Sequence, residues 1–234
     1  MEIFNDLYRN IISDGRWFMI LKGIGTTISI SFFAVVIGVI IGVCIVLMRM
    51  SNNKILQKIS SAYIDIVRGT PVVTQLLIIN VTIFATVRNS GLYVAIVALG
   101  LNSAAYVSEI IRAGISSVDK GQMEAGRSLG FNKMETMRYI IMPQAIKNIF
   151  PALGNEFIVL IKETAIVGYI AVEDLTKVGQ IILSQTASII PIFVSAILYF
   201  IIIKLFTIAL RKIEKKLNES DTPMESTSKA GDTA

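Results

Sequence analysis

Three charged residues and the asparagine before the first of them interrupt a mainly apolar stretch, NIFPALGNEFIVLIKETAIVG, at residues 148–168. They are an amide, two carboxylates and an ammonium: Asn155, Glu156, Lys162 and Glu163. In a helix, Glu156 and Glu163 would be about 20° from alignment, so both could face one cavity. Asn155 and Lys162 would share a neighbouring face by the same spacing. Such a set of groups can bind a polar solute; an internal ion cluster that stabilises the protein is the alternative.

The sequence lacks the residues that most other kinds of site chemistry require. The chain of 234 residues has no histidine and one cysteine, Cys44, which lies in an apolar run. Histidine is the commonest metal ligand and the commonest general base at neutral pH, so no catalytic residue, metal site or cofactor is predicted. The phosphate-binding pattern G-x-x-x-x-G-K-[ST] does not occur in the sequence. The chain is therefore predicted not to be an enzyme, and the alternative of a membrane-embedded enzyme is disfavoured.

Two further charge pairs have helical spacing. Asp65 and Arg68 are three residues apart, and Glu109 and Arg112 repeat that spacing. An ion pair that anchors a helix at the membrane surface explains both pairs; a role at the mouth of a solute pathway is the alternative. Pro71, just after the first pair, is expected to kink or open its helix.

The elements that must position these groups are membrane spans. The chain is 53% hydrophobic and 17% charged, with a mean hydropathy of +0.67, whereas soluble domains carry roughly 25% charged residues. One charge at the middle of a bilayer costs roughly 2.5–3.5 kcal/mol on insertion scales, so long stretches without charge indicate spans. An all-α, polytopic membrane protein follows. Its spans are predicted at about 20–48, 60–87, 89–111, 146–166 and 187–210.

The positive charges indicate the orientation of the chain. Lysines and arginines are concentrated in three connections: residues 49–58, 112–147 and 211–216. Basic connections favour the cytoplasmic side, and these three share one side only if residues 148–168 cross the membrane. This predicts five spans, with the N-terminus outside and the C-terminus in the cytoplasm. Because the formal charge of +5 lies between spans, nucleic acid is not an expected partner.

Three further expectations concern the turn between two spans, the extent of the domain and the C-terminal residues. Residues 88–91 are predicted to form a tight turn between the second and third spans. Residues 1–216 are predicted to form a single transmembrane domain. Residues 217–234 are rich in Ser, Thr, Asp and Glu without periodicity, which predicts a disordered cytoplasmic tail.

Residues 119–143 form a polar module between the third and fourth spans. Asp119 suits an N-cap and Gly130 suits a helix stop, which predicts a short first helix between them. Asn132 suits a second N-cap, and the helix that it starts is expected to end just before Pro143.

The composition of the first helix in this module favours a protein partner. It has few large apolar residues and thus little to bury in a bilayer. The small residues Ala125 and Gly126, expected to be exposed, would let another backbone approach closely. An interfacial helix that rests on lipid head groups is the alternative.

The stretch EAGRSLGFNKMETMRYIIMP, residues 124–143, resembles the EAA motif of ABC-importer membrane subunits, E-A-A-x3-G-x9-I-x-L-P. The positions that match are Glu124, Ala125, Gly130, Ile140 and Pro143. Gly126 replaces the second Ala and Met142 replaces Leu, and both changes keep a small or an unbranched apolar residue. In that family the motif is the coupling helix, which sits in a cleft of the cytoplasmic ATPase subunit.

The resemblance covers about residues 20–210. Residues 63–79, 101–130 and 151–176 resemble the polar amino-acid permeases of the histidine, glutamine, arginine and cystine type. The resemblance implies a five-span, type I ABC importer-like fold with a cytoplasmic coupling helix. It also implies a permease subunit that forms a translocation pathway in the bacterial inner membrane while a partner chain hydrolyses ATP.

The resemblance further implies partners and residue roles. The partners are a cytoplasmic dimer of ATP-binding subunits, an extracytoplasmic amino-acid-binding protein, a second permease subunit (the same chain or a similar one), the lipid bilayer and a small polar amino acid. Coupling to the ATPase would involve Glu124, Ala125, Gly126, Gly130, Ile140 and Pro143. The pathway would be lined by Asn155, Glu156, Lys162 and Glu163, whose opposite charges suit the carboxylate and ammonium of an amino acid. Glu173, Asp174 and Lys177 are expected to face water outside, with contact to the binding protein as the alternative.

An ATP-independent secondary transporter or channel subunit for small polar solutes is the alternative function. Such a protein needs no cytoplasmic docking module, and secondary transporters are usually longer chains with internal repeats. The module at residues 119–143 favours the ABC importer.

Overall fold

The computed structural model describes residues 8–87 and 90–219, and every regular element in those ranges is helical. The α-helices are, in chain order, α1 Arg16–Met50, α2 Lys54–Gly69, α3 Val72–Thr82, α4 Gly91–Ser116, α5 Lys120–Ser128, α6 Lys133–Thr136, α7 Met142–Glu163, α8 Leu175–Thr186 and α9 Ile190–Glu219. A π-helical turn, Met137–Ile141, joins α6 to α7, and a 3₁₀ helix, Thr164–Ile170, follows α7. Most of the tail predicted for residues 217–234 and the first two residues of the turn predicted at 88–91 lie outside the described residues.

Helices α1 and α4 pack together along small residues. A Cβ atom added at Gly42 would lie 2.8 Å from Val107 Cγ1, and one at Gly38 would lie 2.9 Å from the hydroxyl of Ser103. Glycine at these positions lets the two backbones approach closely, which is how helices commonly associate in a membrane. The most apolar stretch of α4 is 67% buried inside the protein, against 6% for α9. Helix α4 is therefore the central helix, and α9 is left to face lipid or another chain.

The second predicted span, 60–87, is not one helix. Helix α2 ends at Gly69, α3 begins at Val72, and the two are bent by 107°. Pro71 precedes α3 and has no N–H to bond the carbonyl of Val67, four residues earlier. The kink predicted at Pro71 is confirmed, and it is sharp enough to break the span into two helices.

Contacts between distant segments define two ends of the bundle. At one end Val46, near the end of α1, packs in a cluster with Ile111 of α4 and Ile149 of α7. We call this the basic end, after the lysines and arginines that follow α1 and α4 in sequence. At the far end Ile20, near the start of α1, packs in a cluster with Ile161 of α7. Helix α7 therefore runs from the basic end to the far end.

The number of spans is not settled by helix length and composition. Among the described residues, α1, α4 and α9 are long and apolar enough to cross a membrane, and the bent pair α2–α3 makes a fourth if it counts as one span. Helix α7 covers most of the predicted span 146–166 but is not among them, and it carries Lys147, Glu156, Lys162 and Glu163. The all-α, multi-pass class is confirmed, and the count of five stays a prediction.

The charge-free stretch at residues 178–203 belongs to two helices. Helix α8 ends at Thr186, Ala187 has a left-handed backbone with a φ of 53°, and α9 begins three residues later. Helix α9 then continues to Glu219, past the residue at which disorder was expected to begin. The span predicted at 187–210 begins at this turn, because the strongly apolar part of the stretch starts there.

Asp174 does not face water, contrary to the prediction. It is fully buried, and its carboxylate accepts the backbone N–H groups of Thr176 and Lys177 at 2.9 Å each, which caps α8. The hydroxyl of Tyr199 on α9 donates to the same carboxylate at 2.9 Å. Three donors compensate for the loss of water around the carboxylate, and they fasten α8 to α9.

Candidate coupling and solute-pathway sites

Both helices of the module at residues 119–143 begin at the predicted N-caps, Asp119 and Asn132. The side chain of Asp119 accepts the backbone N–H of Gly121 at 2.7 Å. Asn132 and Glu135 form a complete capping box at the start of α6, in which each side chain accepts a backbone N–H of the other residue. These caps satisfy N–H groups that a helix start leaves without partners.

Helix α5 ends at the predicted glycine. Gly130 has a φ of +91°, a region that favours glycine over other residues. The N–H of Phe131 bonds the carbonyl of Gly126 at 3.2 Å, and the N–H of Gly130 bonds the carbonyl of Arg127 at 3.1 Å. This pair of bonds is a Schellman turn, which reverses the chain directly after α5.

Gly126 is not an exposed small residue, contrary to the prediction. It is buried where α5 crosses the second helix of the module. A Cβ atom at this position would lie 2.5 Å from Thr136 Cγ2 and 2.9 Å from Ile140 Cδ1. Thr136 itself is fully buried. Glycine thus permits a contact inside the module, while the neighbouring Ala125 remains exposed.

Pro143 does not end a helix, so the predicted stop before it is wrong. Helix α6, the π turn and α7 follow one another without a break from Lys133 to Glu163. At the π turn the N–H of Met142 bonds the carbonyl of Met137, five residues back. Pro143 follows in the first turn of α7, where a residue without an N–H is tolerated. The module is therefore joined to α7 by continuous helix.

Four exposed residues of the module, taken together, are called the module face: Glu124, Ala125, Leu129 and Met134. Glu124 and Ala125 are exposed, and Leu129 and Met134 are 77% and 75% exposed. The face lies at the basic end, since the module connects α4 to α7 there. Leu129 and Met134 are large apolar side chains exposed on a polar module, which favours a contact with another molecule.

The four polar residues of the predicted pathway lie in different environments. Glu156 is 8% exposed, and its carboxylate accepts the hydroxyl of Ser103 on α4 at 2.7 Å. Asn155 and Lys162 lie on an exposed face of α7, and Glu163 is half-buried. None of the ion pairs found within residues 8–87 and 90–219 joins Glu156, Lys162 and Glu163. The internal ion cluster considered as an alternative is therefore not formed.

Lys162 borders a cavity of about 230 Å³ where the end of α7 meets α8 and α9. Its lining comprises Lys162, Ala165, Thr176, Ile192, Ser195, Ala196 and Tyr199. The hydroxyl groups among these residues were missed from the sequence. Ser195 and Tyr199 are four residues apart in an apolar run, so they share a helix face, and that spacing is the signal that could have found them. In the described part of the chain, no group of His, Cys, Asp or Glu side chains is arranged to hold a metal ion.

At the basic end Glu109 pairs with three arginines. It forms ion pairs with Arg49 of α1, with Arg68 of α2 at 4.0 Å and with Arg112 of α4 at 3.0 Å. The predicted pair of Glu109 and Arg112 is confirmed. The predicted pair of Asp65 and Arg68 is wrong, because Arg68 turns to α4 instead. A local spacing could not show this, since the competing carboxylate is far away in sequence.

The chain matches proteins of one family along most of its length. Residues 19–219 match the family described as binding-protein-dependent transport system inner membrane component. The putative glutamine transport system permease protein GlnP of Rickettsia bellii is 43% identical over 204 residues, which cover 85% of this chain and 92% of that protein. The arginine transport system permease protein ArtQ of Bacillus subtilis is 37% identical over 205 residues, which cover 86% and 94%.

Two solved structures share the fold. A crystal structure of an amino acid ABC transporter with histidines matches with a TM-score of 0.80 at 45% identity, over 85% of this chain and 94% of that chain. The MetNI methionine ABC transporter in an inward-facing conformation matches with a TM-score of 0.78 at 22% identity, over 88% and 99%. At 22% identity the second likeness shows the fold alone.

Proposed function

The chain belongs to the family of binding-protein-dependent transport system inner membrane components, and from this premise we propose that it forms the translocation pathway of an ATP-driven ABC importer for polar amino acids. It is a multi-pass protein of the inner membrane, and ATP hydrolysis resides in a partner subunit. The alternative of an ATP-independent transporter or channel has no support, because members of this family depend on a binding protein. The observation that carries the proposal is the capped helix–glycine–helix module at the basic end.

The module face is the proposed contact with the ATPase. Glu124 and Ala125 are exposed and would touch the ATP-binding subunit. The other motif residues would act from inside: Gly126 and Ile140 at the helix crossing, Gly130 in the turn and Pro143 at the start of α7. Because α7 continues from the module without a break, a movement of the face would be transmitted along α7.

The proposed substrate is a polar amino acid, the class named in the relatives, which are described as glutamine and arginine permeases. We propose that Lys162 binds the carboxylate of the amino acid and that Asn155 and Glu163 line the pathway beside it. Lys162 is exposed and borders the cavity next to Tyr199, which supports this role. Glu156 would hold α7 against α4 behind them, through its hydrogen bond with Ser103.

We further propose that the basic end faces the cytoplasm, with the N-terminus outside and the C-terminus inside. The concentration of lysine and arginine in the three connections supports this orientation. A second permease subunit would complete the pathway, two ATP-binding subunits would dock at the basic end, and an amino-acid-binding protein would dock at the far end.

The proposal is tested by reconstituting the permease with its ATPase and binding protein in liposomes. We expect uptake of labelled polar amino acids that requires ATP inside the vesicles. Glu124→Lys and Gly130→Pro should weaken co-purification with the ATPase, whereas Lys204→Gln, an exposed lysine of α9, should not. Unchanged association and unchanged ATP-coupled uptake in both motif variants would contradict the role of the module.

A further inference from the structure

The break between α2 and α3 leaves the carbonyl of Val67 without its helical partner, because the residue four positions on is Pro71. The side-chain amide of Gln75 takes the place of that partner. Its Nε2 donates to the Val67 carbonyl at 2.8 Å and to the hydroxyl of Thr70, also at 2.8 Å. Gln75 lies on α3 and Val67 on α2, so these bonds join the two sides of the break.

Gln75 is itself held by the central helix. Its Oε1 accepts the side-chain amide of Asn102 on α4 at 3.1 Å, and Asn102 is buried. Separating the two amides would leave a buried polar group without a partner, which is costly. The α3 side of the break is therefore fastened to α4.

Arg68 fastens the α2 side of the break to the same helix. Its guanidinium carbon lies 5.2 Å from the centre of the Tyr106 ring, and its Nη1 lies 4.0 Å from a carboxylate oxygen of Glu109. The first contact is a cation–π interaction and the second is an ion pair. Glu109 also binds Arg49, so the end of α1 is held at the same point.

These contacts come from one face of α4. Asn102, Tyr106 and Glu109 are spaced i, i+4, i+7 and so form a stripe along the helix; we call it the α4 stripe. We propose that the α4 stripe clamps both sides of the Pro71 break, so that α2, α3 and α4 move as one rigid unit during transport. Gln75 and the stripe residues are then positioning residues that keep solute movement coupled to ATP hydrolysis. The inference rests on the proposed function for the motion that the unit follows.

The short connection between the module and α4 explains why the α4 stripe matters for transport. Helix α4 ends at Ser116 and α5 begins at Lys120, so a movement of the module reaches α4 through only a few residues. A broken span is otherwise a natural hinge, because such joints absorb backbone rotation. With both sides fastened to α4, the same movement carries α3 along instead of bending the break.

The rigid unit is tested by distances between spin labels in the complete transporter. One labelled chain carries Ile66→Cys with Ala113→Cys, and a second carries Ile78→Cys with Ala113→Cys; both also carry Cys44→Ser. The three labelled residues are exposed and lie on α2, α3 and α4. The labelled chain is diluted with unlabelled chain, so that distances within one chain dominate. We expect the distances 66–113 and 78–113 to be the same in the nucleotide-free and ATP-trapped states.

An undiluted sample labelled at residue 113 alone measures the distance between the two permease subunits, and we expect that distance to change between the states. If it stays the same, α4 does not move with the transport cycle and the proposed rigid unit is overturned. If it changes while either distance within the chain also changes, the break is a moving hinge and the clamp is wrong. If the parent transporter shows no ATP-driven uptake, the proposed function fails instead. The two failures are therefore distinguishable.

Variants of the clamp provide a second test. Gln75→Leu removes the hydrogen bonds of the amide with Val67, Thr70 and Asn102 at similar volume. We expect the number of amino acids taken up per ATP hydrolysed to fall about fivefold, the lower end of a typical coupling between sites. Glu109→Gln, which removes the charge that pairs with Arg68, should act in the same direction. Gln57→Leu is the matched control, since Gln57 lies at the start of α2 and bonds the Ser51 carbonyl away from the break.

If Gln75→Leu and Glu109→Gln leave the uptake per ATP and the 78–113 distance distribution the same as in Gln57→Leu, the clamp is overturned. The distances in the parent chain test the rigid unit even if a variant cannot be purified.

Discussion

Ser103 of α4 donates a 2.7 Å hydrogen bond to the carboxylate of Glu156 on α7, inside the contact between the two helices. Both residues are buried, and Ser103 also lies against Gly38 of α1. A carboxylate that the sequence suggested for the solute pathway therefore serves the packing of three helices. Later on the same helix Lys162 is exposed and Glu163 is half-buried.

Ser103→Ala should destabilise the permease, because it leaves the buried carboxylate of Glu156 without its hydroxyl donor. We expect a loss of about 1–3 kcal/mol, the usual cost of a buried polar group left unsatisfied, measured as a lower midpoint of thermal unfolding in detergent. Glu156→Gln keeps an oxygen that can accept from Ser103 and should cost less. Altered amino-acid selectivity at unchanged stability in Glu156→Gln would instead place Glu156 in the pathway.

Gly126→Ala should disturb the coupling module, although it restores the second alanine of the EAA motif. The added Cβ would lie 2.5 Å from Thr136 Cγ2, and overpacking of this kind costs about 1–3 kcal/mol. We expect weaker co-purification with the ATPase. Adding Thr136→Ala removes the obstructing methyl group and should restore part of the association. Ala125→Ser, at the exposed neighbour, is the control, and an equal loss in that variant would show that the face and not the crossing is responsible.

Gly130→Ala should weaken the module through its backbone alone. The φ of +91° disfavours a residue with a Cβ by about 1–2 kcal/mol, while nothing lies within 4 Å of the added atom. Gly130→Asn should be milder because asparagine tolerates left-handed conformations. Gly25→Ala in α1 also adds a Cβ in open space, but at a helical position, and should leave thermal stability unchanged or slightly higher. Equal effects of Gly130→Ala and Gly25→Ala would contradict the Schellman turn.

Local chemistry in the sequence predicted the parts of this fold that neighbours in the chain determine. The charge-free stretches of α1 and α4 depend only on the composition of one continuous segment. The caps at Asp119 and Asn132, the stop at Gly130 and the kink at Pro71 depend on residues within about one helical turn. Each of these could be argued from propensity and hydrogen-bond inventory without knowledge of the tertiary structure.

The remainder depended on partners that are distant in sequence. Arg68 pairs with Glu109 and not with Asp65, three residues away, because α4 brings the other carboxylate and an aromatic ring to it. Gly126 is buried because Thr136 crosses it, and Asp174 is buried because α9 supplies a hydroxyl. In each case a contact with another helix, and not the neighbours in sequence, decides the partner or the burial of the residue.

Lys162→Gln should weaken binding of the amino acid to the permease itself. If the ammonium of Lys162 meets the carboxylate of the solute, removing it loses a charge-assisted hydrogen bond of about 1.5–3 kcal/mol, which is at least roughly a tenfold rise in Kd. Lys162→Arg keeps a cation and should lose less. Titration calorimetry on the detergent-solubilised complex of permease and ATPase measures Kd without the binding protein, whose own selectivity would otherwise dominate.

The matched control for Lys162→Gln is Lys204→Gln, which removes an exposed lysine from α9 and makes the same change in net charge. A carboxamide analogue of the amino acid adds a second comparison. The parent should bind the acid more tightly than the amide, and Lys162→Gln should lose most of that preference because the group that distinguishes them is gone. If Lys162→Gln binds the acid as tightly as Lys204→Gln does and keeps the full preference over the amide, the carboxylate is held elsewhere and the cavity beside Tyr199 is not its site.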